Sequence, residues 1–503
     1  MARPQVILSA SAQRLGPLTA VIDIGSNSVR MVVYAGSGRV AVPVYNERTL
    51  CGLGRGMGKT GRLDPDAVTV ALAHLSRFVT LIEAMEVSQV EVLATEAVRA
   101  ASDGAAFVAA AEKILGATIH ILDGGTEAEI SAFGVVSGIP GATGMMGDLG
   151  GGSLEIVSLE NGVPGARASR PIGALRLSEA AGNDTDKARS IVDAALAGID
   201  WLGNMKGRAF YPVGGAWRAF ASVHMGQENY PLHVIHEYAL SRADALALLR
   251  LVSGLSPKSL AKIPRVPKAR LKTLPLAAVV MERLLAAAQP KVVVFSALGL
   301  REGWLYHRLP MAERLVDPLL AAVEDMATRE SRFAMPGAQL DDWLSILFAN
   351  ETPRLRRLRR AAVLLSDIAW RDHPDYRARE SFSRVLHLPL TGIDHGERVL
   401  LAYMVSASYG GGRTGPVRSL VLPLVDNDDV EHAITVGRAI RFARTLAAGT
   451  LDVLRRTRLE IDDKDLTVHV PVGMSYLLSE EISRRFEALA RRLNRRPRLA
   501  DDG

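Results

Sequence analysis

The chain has 503 residues, too many for one hydrophobic core, so two to four domains are expected. With 48% apolar and 23% charged residues its composition is that of an ordinary globular protein, which excludes disordered and fibrous classes. The lone Cys51 excludes an intrachain disulfide and suits a reducing cytoplasm, no apolar run reaches bilayer length, and a formal charge of +6 points toward polyanionic partners.

Residues 1–17 read as a loose leader, lacking the apolar segment of a signal peptide. Residues 19–34 then read strand, tight turn, strand: TAVIDI, GSNS, VRMVVY. A helix at 65–85, a strand at 89–94, a helix at 96–115 and a strand at 118–122 follow. A near copy of the first hairpin comes 125 residues later as MMGD, LGGGS, LEIVSL. After it the pattern gives an Ala-rich helix at 186–203, a short strand at 209–213, a helix from Trp217, and a buried strand at 291–297 that runs into LREGWLYH. A unit repeated at this distance predicts two similar α/β lobes, each turn lying at strand ends where such sheets bind ligands.

Beyond residue 310 the pattern turns helical, with amphipathic stretches at 315–333, 340–348 and 355–370 and a Gly-rich loop at 408–416. A helix at 429–457, strand-like LEI and LTVHVP, and a terminal helix at 480–494 complete the chain. The expected domains are 16–138, 139–310, 311–420 and 421–503. From Glu351 onward there are 26 Lys+Arg against 21 Asp+Glu, and 25 of the cations are arginine, clustered at Arg354, Arg356, Arg357, Arg359 and Arg360 and again from Arg484 to Arg498. Arginine's planar fork matches phosphate oxygens, so together these clusters make a polyanion partner plausible, nucleic acid or polyphosphate alike, although a solvated helix face is the better reading of any single cluster.

The paired turns carry the chemistry. In DIGSNSVR, Gly25, Ser26, Asn27 and Ser28 let successive N–H groups point inward as a nest for phosphate, and Arg30 follows; in DLGGGSLE, Gly150, Gly151, Gly152 and Ser153 do the same. An aspartate beside such a turn repels phosphate unless a cation intervenes, so Asp23 and Asp148, with Glu155 on the next strand, imply Mg²⁺ or another divalent cation. Arg99, in TEAVRAA, lies one helical turn beyond a strand end, within reach of the cleft. Glu127, after the Gly-Gly of DGGTEAEISAFGV, is placed to serve as general base, with Glu129 the competing choice two residues on. Two further Gly turns bring Gly214, Gly215, Arg218 and Arg301 to strand ends as candidate substrate contacts. No G-x-S-x-G elbow or paired cysteine supports a covalent nucleophile.

Taken together these residues resemble the exopolyphosphatase/guanosine pentaphosphate phosphatase family, a branch of the sugar kinase, chaperone and actin superfamily. DIGSNSVR resembles its first phosphate loop and DLGGGSLE its second, with Leu149 and Leu154 departing from the usual DIGGGSTE. TEAVRAA, PIGALRLSE and ALGLREG are similar to further family signatures. Aligning Gly124 and Gly134 with the family's G-x-E-E-A-x-L-x-x-x-G-V pattern puts Glu127 on the catalytic glutamate and Thr126 on the glutamate before it.

The resemblance implies two actin-like (ribonuclease H-like) lobes, then a degenerate HD-like helical domain and a small C-terminal α+β domain. In LLSDIAW, Ser366 stands where a metal-binding HD protein has histidine, so no second metal-dependent active site is expected. It further implies a cytoplasmic homodimer that releases terminal phosphate from inorganic polyphosphate, with hydrolysis of guanosine pentaphosphate as the nearest alternative. An ATP-dependent kinase or ATPase of the same superfamily, and a polyphosphate-binding regulator without turnover, are the rival readings.

Overall fold

Two hairpins organise the first half of the chain. In the computed structural model, which describes residues 16–36, 38–182, 184–266, 268–332 and 337–502, the chain divides into two compact units, Met1–Val316 and Asp317–Gly503. The leader, up to residue 15, lies outside the described residues.

In the first unit, β1 (Leu18–Ile24) and β2 (Ser28–Ala35) are apolar on both faces and therefore central. β3 (Val42–Leu50) pairs antiparallel with β2, while β4 (Gln89–Ala94) and β5 (Ile119–Ile121) run parallel to β1, giving the order β3-β2-β1-β4-β5. The second sheet repeats this plan with β6 (Gly144–Leu149), β7 (Leu154–Glu160) and β8 (Val163–Arg170) as the meander. β9 (Ala209–Val213) runs parallel to β6 and β11 (Val292–Phe295) parallel to β9, with β10 (Tyr238–Ser241) as an antiparallel edge. The third strand of each meander escaped the sequence reading: VPVYNERTL and VPGARASR lie largely exposed, so neither shows a run of apolar alternation.

Each sheet has its own core. On the first, the Pro65–Ala84 helix, capped by the Asp64 side chain, lays Ala67, Ala71, Leu75 and Phe78 against the strands. This helix is long and apolar enough by length and composition to cross a membrane, which corrects the expectation that no such run exists; here its buried stripe packs on the sheet. The expected helix at 96–115 breaks into Glu96–Ala100 and Gly104–Leu115, because Ala101 turns extended and Ser102 bonds the Gly61 carbonyl instead of continuing the ladder.

The Gly124–Gly138 helix joins the two lobes. Ala128, Ala132, Val135 and Val136 pack on the second sheet, while Ile130 and Phe133 pack with Val21, Val32, Leu93 and Trp304 on the first. A helix with apolar contacts on both sides is buried, as this one is. The Leu300–Arg308 helix crosses it at Gly303, where a Cβ would sit 1.8 Å from the Ile130 carbonyl oxygen. Only glycine permits that approach.

The second unit is helical around the His395–Ser408 and Asn427–Leu446 helices, with a small sheet of β12 (Arg458–Ile461), β13 (Asp465–Pro471) and β14 (Arg496–Asp502). The expected helix at 429–457 is interrupted at Ala448 and Gly449, both with positive φ, and resumes at Leu451–Arg456. β14, which the sequence offered only as an arginine cluster, pairs parallel to β13.

Many of the arginines in this unit are committed internally. Arg354 bonds Glu397 and Asp429, Arg357 bonds Asp317, Arg492 bonds Glu431, and Arg496 and Arg498 share Asp465. Asp367 lies buried between the guanidiniums of Arg332 and Arg444, and Arg444 also donates to the Ser366 hydroxyl at 2.9 Å. Arg359, 2% exposed, bonds Glu351 at 2.8 Å, and His432 approaches the same carboxylate at 3.0 Å. Replacing Arg359 with alanine leaves the buried Glu351 carboxylate with His432 alone, so Arg359→Ala is expected to cost about 3 kcal/mol in urea unfolding. A loss below about 1 kcal/mol would show that the pair is not holding this unit together.

Candidate active site

The two turns meet face to face across a cleft of about 240 Å³. Each places an aspartate at the last-but-one position of a strand, Asp23 in β1 and Asp148 in β6, and closes with the same hydrogen bond. Gly25 N donates to Ser28 O at 3.0 Å, and Gly150 N donates to Ser153 O at 3.0 Å. The backbone is thus repeated, but the residue opposite the aspartate is not. Strand register sets Arg30 against Asp23 and Glu155 against Asp148. One hairpin is charge-balanced and the other doubly acidic.

Glu127 joins the acidic side. It sits in the first turn of the Gly124–Gly138 helix, whose end is capped by Asp123 accepting from Gly125 N and Thr126 N, both at 2.9 Å. The helix separates it from Glu129, which points away to an ion pair with Arg167, so only Glu127 faces the cleft. Glu127 is paired with Arg99 at 3.4 Å, and Arg99 also donates to the Leu122 carbonyl. Glu155 accepts from Ser169 at 2.9 Å and Asp148 from Ser131 at 2.8 Å.

Burial pushes the Glu127 carboxyl well above the usual range, and the neighbouring Glu155 and Asp148 charges push it further. Burial and Asp148 raise Glu155, against the hydrogen bonds from Ser153 and Ser169. Burial also raises Asp148, with Asp23 adding to it. Three crowded carboxyl groups therefore favour a shared proton or a cation.

Cations ring the other walls. Arg30, Arg48, Arg218, Arg270 and Arg301 all line the cleft. Burial lowers Arg30 to about 10, with Arg301 and Arg218 contributing; burial, Arg48 and Arg218 bring Arg270 to about 10 as well. Arg218 is lowered by burial and by Arg301, while donating to the Ala297 carbonyl at 2.6 Å. Burial alone would lower Arg301, but Glu302 and Asp23 outweigh it, and Arg301 bonds Asp23 at 2.8 Å. Guanidiniums that depress one another form a site short of negative charge.

The cleft gathers every residue expected from the sequence except Arg99, which stands behind Glu127 with its guanidinium on that carboxylate. Sequence reasoning missed Arg48, Arg270 and Glu96. Arg48 reaches the cleft because β3 sets it opposite Arg30, a register invisible without knowing that β3 exists. Arg270 ends a single 3-10 turn, Lys268–Arg270, just before the Leu274–Ala288 helix, with no motif to mark it.

The donor set fits a divalent cation of the magnesium type, which takes one or two carboxylates and completes its shell with water and phosphate oxygens. Asp148 and Glu155, crowded and raised, are the side chains that would hold it. Among the described residues no three or more His, Cys, Asp or Glu side chains gather into a metal cage, and Asp23 is turned to Arg301. The expected set of Asp23, Asp148 and Glu155 is thus not assembled as three direct ligands.

The solved exopolyphosphatase of Cytophaga hutchinsonii superimposes with a TM-score of 0.53 at 22% identity, over 57% of this chain and 96% of that one. An exopolyphosphatase-like protein of known structure gives 0.51 at 25% identity over the same shares. Together they define the class as a two-lobed mixed α/β protein with the fold of these exopolyphosphatase structures. The model of the Ppx/GppA phosphatase family matches residues 32–312, and that of the exopolyphosphatase C-terminal family matches residues 319–499. The chain belongs to the Ppx/GppA phosphatase family and is a phosphoanhydride hydrolase. Among curated relatives it is 28% identical to exopolyphosphatase 2 of Mycobacterium tuberculosis over 284 residues, 53% of this chain and 89% of that protein. It is 29% identical to retrograde regulation protein 2 of Saccharomyces cerevisiae over 341 residues, 61% of this chain and 58% of the relative.

Because burial raises the Glu127 carboxyl in the folded chain, its stabilising contribution is present at low pH and lost as pH rises through the folded-state value. Glu127→Gln is therefore expected to raise the melting temperature in metal-free buffer by about 2–4 °C at pH 8 and to change it little at pH 5. A fall at pH 8 in scanning calorimetry would mean that the carboxylates are not crowded as described.

Proposed function

We propose that the protein releases terminal orthophosphate from inorganic polyphosphate. The observation that carries this reading is the pairing, in one cleft, of five arginines with three raised carboxyl groups beside two N–H-rich turns. The terminal phosphate lies between the turns, its oxygens on the backbone N–H groups of Ser26–Ser28 and Gly151–Ser153. Arg30, Arg218 and Arg301 hold the phosphates behind it. Glu127 accepts a proton from the attacking water as the new P–O bond forms in line with the bridging P–O bond that breaks. The shortened chain leaves as the anion, its charge met by the arginines. Arg99 opposes the upward shift of the Glu127 carboxyl, favouring the ionised carboxylate, and aims it at the water. Mg²⁺, held on the side of Asp148 and Glu155, would neutralise phosphate oxygens and relieve the repulsion that otherwise protonates Glu127.

Guanosine pentaphosphate would meet the same chemistry at its terminal phosphate. Among the described residues that line the cleft none is aromatic, so no ring there stacks on a base, which favours the bare polymer. The buried, arginine-clamped Asp367 supports reading the second unit as an HD-like domain without a metal centre of its own.

The decisive measurement is Mg²⁺-dependent phosphate release from long polyphosphate, guanosine pentaphosphate and ATP, assayed side by side. Polyphosphate is expected to be the best substrate; turnover of ATP alone would overturn the proposal. Glu127→Ala is expected to lower kcat by about 10²–10⁴-fold while polyphosphate binding persists. Near-normal release by this variant would remove Glu127 from the role of base.

A further inference from the structure

The gap between the two turns holds an acid. Glu96, the first residue of the Glu96–Ala100 helix, is 7% exposed and lines the same cleft as the phosphate-binding turns. A carboxylate there opposes an anionic substrate and loses its hydration, so its presence requires compensation from a partner. That partner belongs to the other lobe: Arg176, on the Ala174–Ala181 helix, donates to Glu96 Oε1 at 2.7 Å. Ser26 Oγ of the first turn donates to Glu96 Oε2 at 3.2 Å. A Cβ on Gly152 of the second turn would lie 2.0 Å from that same oxygen, so the carboxylate is wedged between the turns.

Glu96 is also mechanically linked to the reacting centre. Arg99, which pairs with Glu127, follows one turn later on the same short helix. Arg176 is equally tied to the second turn, since its backbone N–H donates to the Gly151 carbonyl at 3.2 Å. A second bond runs between the lobes nearby, from Gly56 N to Glu179 Oε1 at 2.8 Å. Moving the lobes apart strips Glu96 of its cation and leaves a buried charge unpaired, whereas bringing them together restores the pair and sets the Arg99 helix against the turns.

We propose that Glu96 is a positioning residue: its pairing with Arg176 makes closure of the lobes set the placement of Arg99 and Glu127 for phosphoanhydride hydrolysis. Glu96 does not touch the reacting atoms. Both its oxygens are occupied, and it acts through the helix it begins. The catalytic part rests on the function proposed above, while the lobe-closing part rests on geometry alone.

The test is a double-mutant cycle on the full chain with Glu96→Gln and Arg176→Met, in the wild type and in a background carrying Glu83→Cys and Ala194→Cys for spin labels, both sites being exposed, one on each lobe, and Cys51 buried. Each single variant is expected to lower kcat for polyphosphate by about 10–100-fold with KM changed less than about twofold, since misplacement rather than lost binding is the defect. The double variant should be no worse than either single, and Arg176→Lys should recover part of the loss. The inter-lobe distance distribution, measured with Mg²⁺ and a non-hydrolysable polyphosphate analogue, should be narrow in wild type and broad or longer in Glu96→Gln. Additive losses in the cycle, or an unchanged kcat in Glu96→Gln, would overturn the positioning role. An unchanged distance distribution would overturn the closing role. If wild type releases no phosphate from polyphosphate yet the distance responds to Glu96→Gln, the substrate reading fails while the closing role stands.

Discussion

Everything at the cleft follows from three carboxyl groups held too close together. Glu127, Asp148 and Glu155 reach one place from a helix and two antiparallel strands, and burial denies them the water that would screen their charges. Such a cluster is stable only with a proton or a cation among its members, and phosphoryl transfer uses both: a base that can take a proton and a cation that meets phosphate oxygens. The framework keeps the cluster from relaxing. The Gly124–Gly138 helix is gripped by both sheets, and Asp148 is fixed by its strand and by Ser131.

The arginine wall is the complement of that cluster. Arg30, Arg48, Arg218, Arg270 and Arg301 come from β2, β3 and three separate segments of the second lobe, and they depress one another's basicity in most pairings. Neither wall is electrostatically satisfied alone. A polyanion with its associated cation supplies to each wall the charge it lacks. Membership of the Ppx/GppA phosphatase family and this charge arrangement are independent lines leading to the same chemistry.

The twin turns were legible because their glycines, serines and aspartates recur at a fixed offset of 125 residues, and local backbone chemistry needs those residue types. Glu127 was legible from its position after Gly124 and Gly125, although its place in a helix rather than a turn became clear only with the Asp123 cap. What stayed hidden depended on register between distant strands. β3 and β8 carry Pro, Gly and charge in place of alternation, so the strand that delivers Arg48 left no trace. Glu96 stands in the same motif as Arg99, yet its importance arises from Arg176, 80 residues away in the other lobe.

The internal pairing of the second unit's arginines changes the meaning of its arginine count. A guanidinium already bonded to a carboxylate releases few counterions when a polyanion arrives, so it adds little to affinity and little to the dependence of affinity on salt. Arg354, Arg357, Arg359, Arg492, Arg496 and Arg498 are spent in this way. The paired arginines of the second unit are therefore architectural, whereas those lining the cleft of the first serve recognition. Ionic strength acts on the former through cohesion of the fold and on the latter through capture of the ligand.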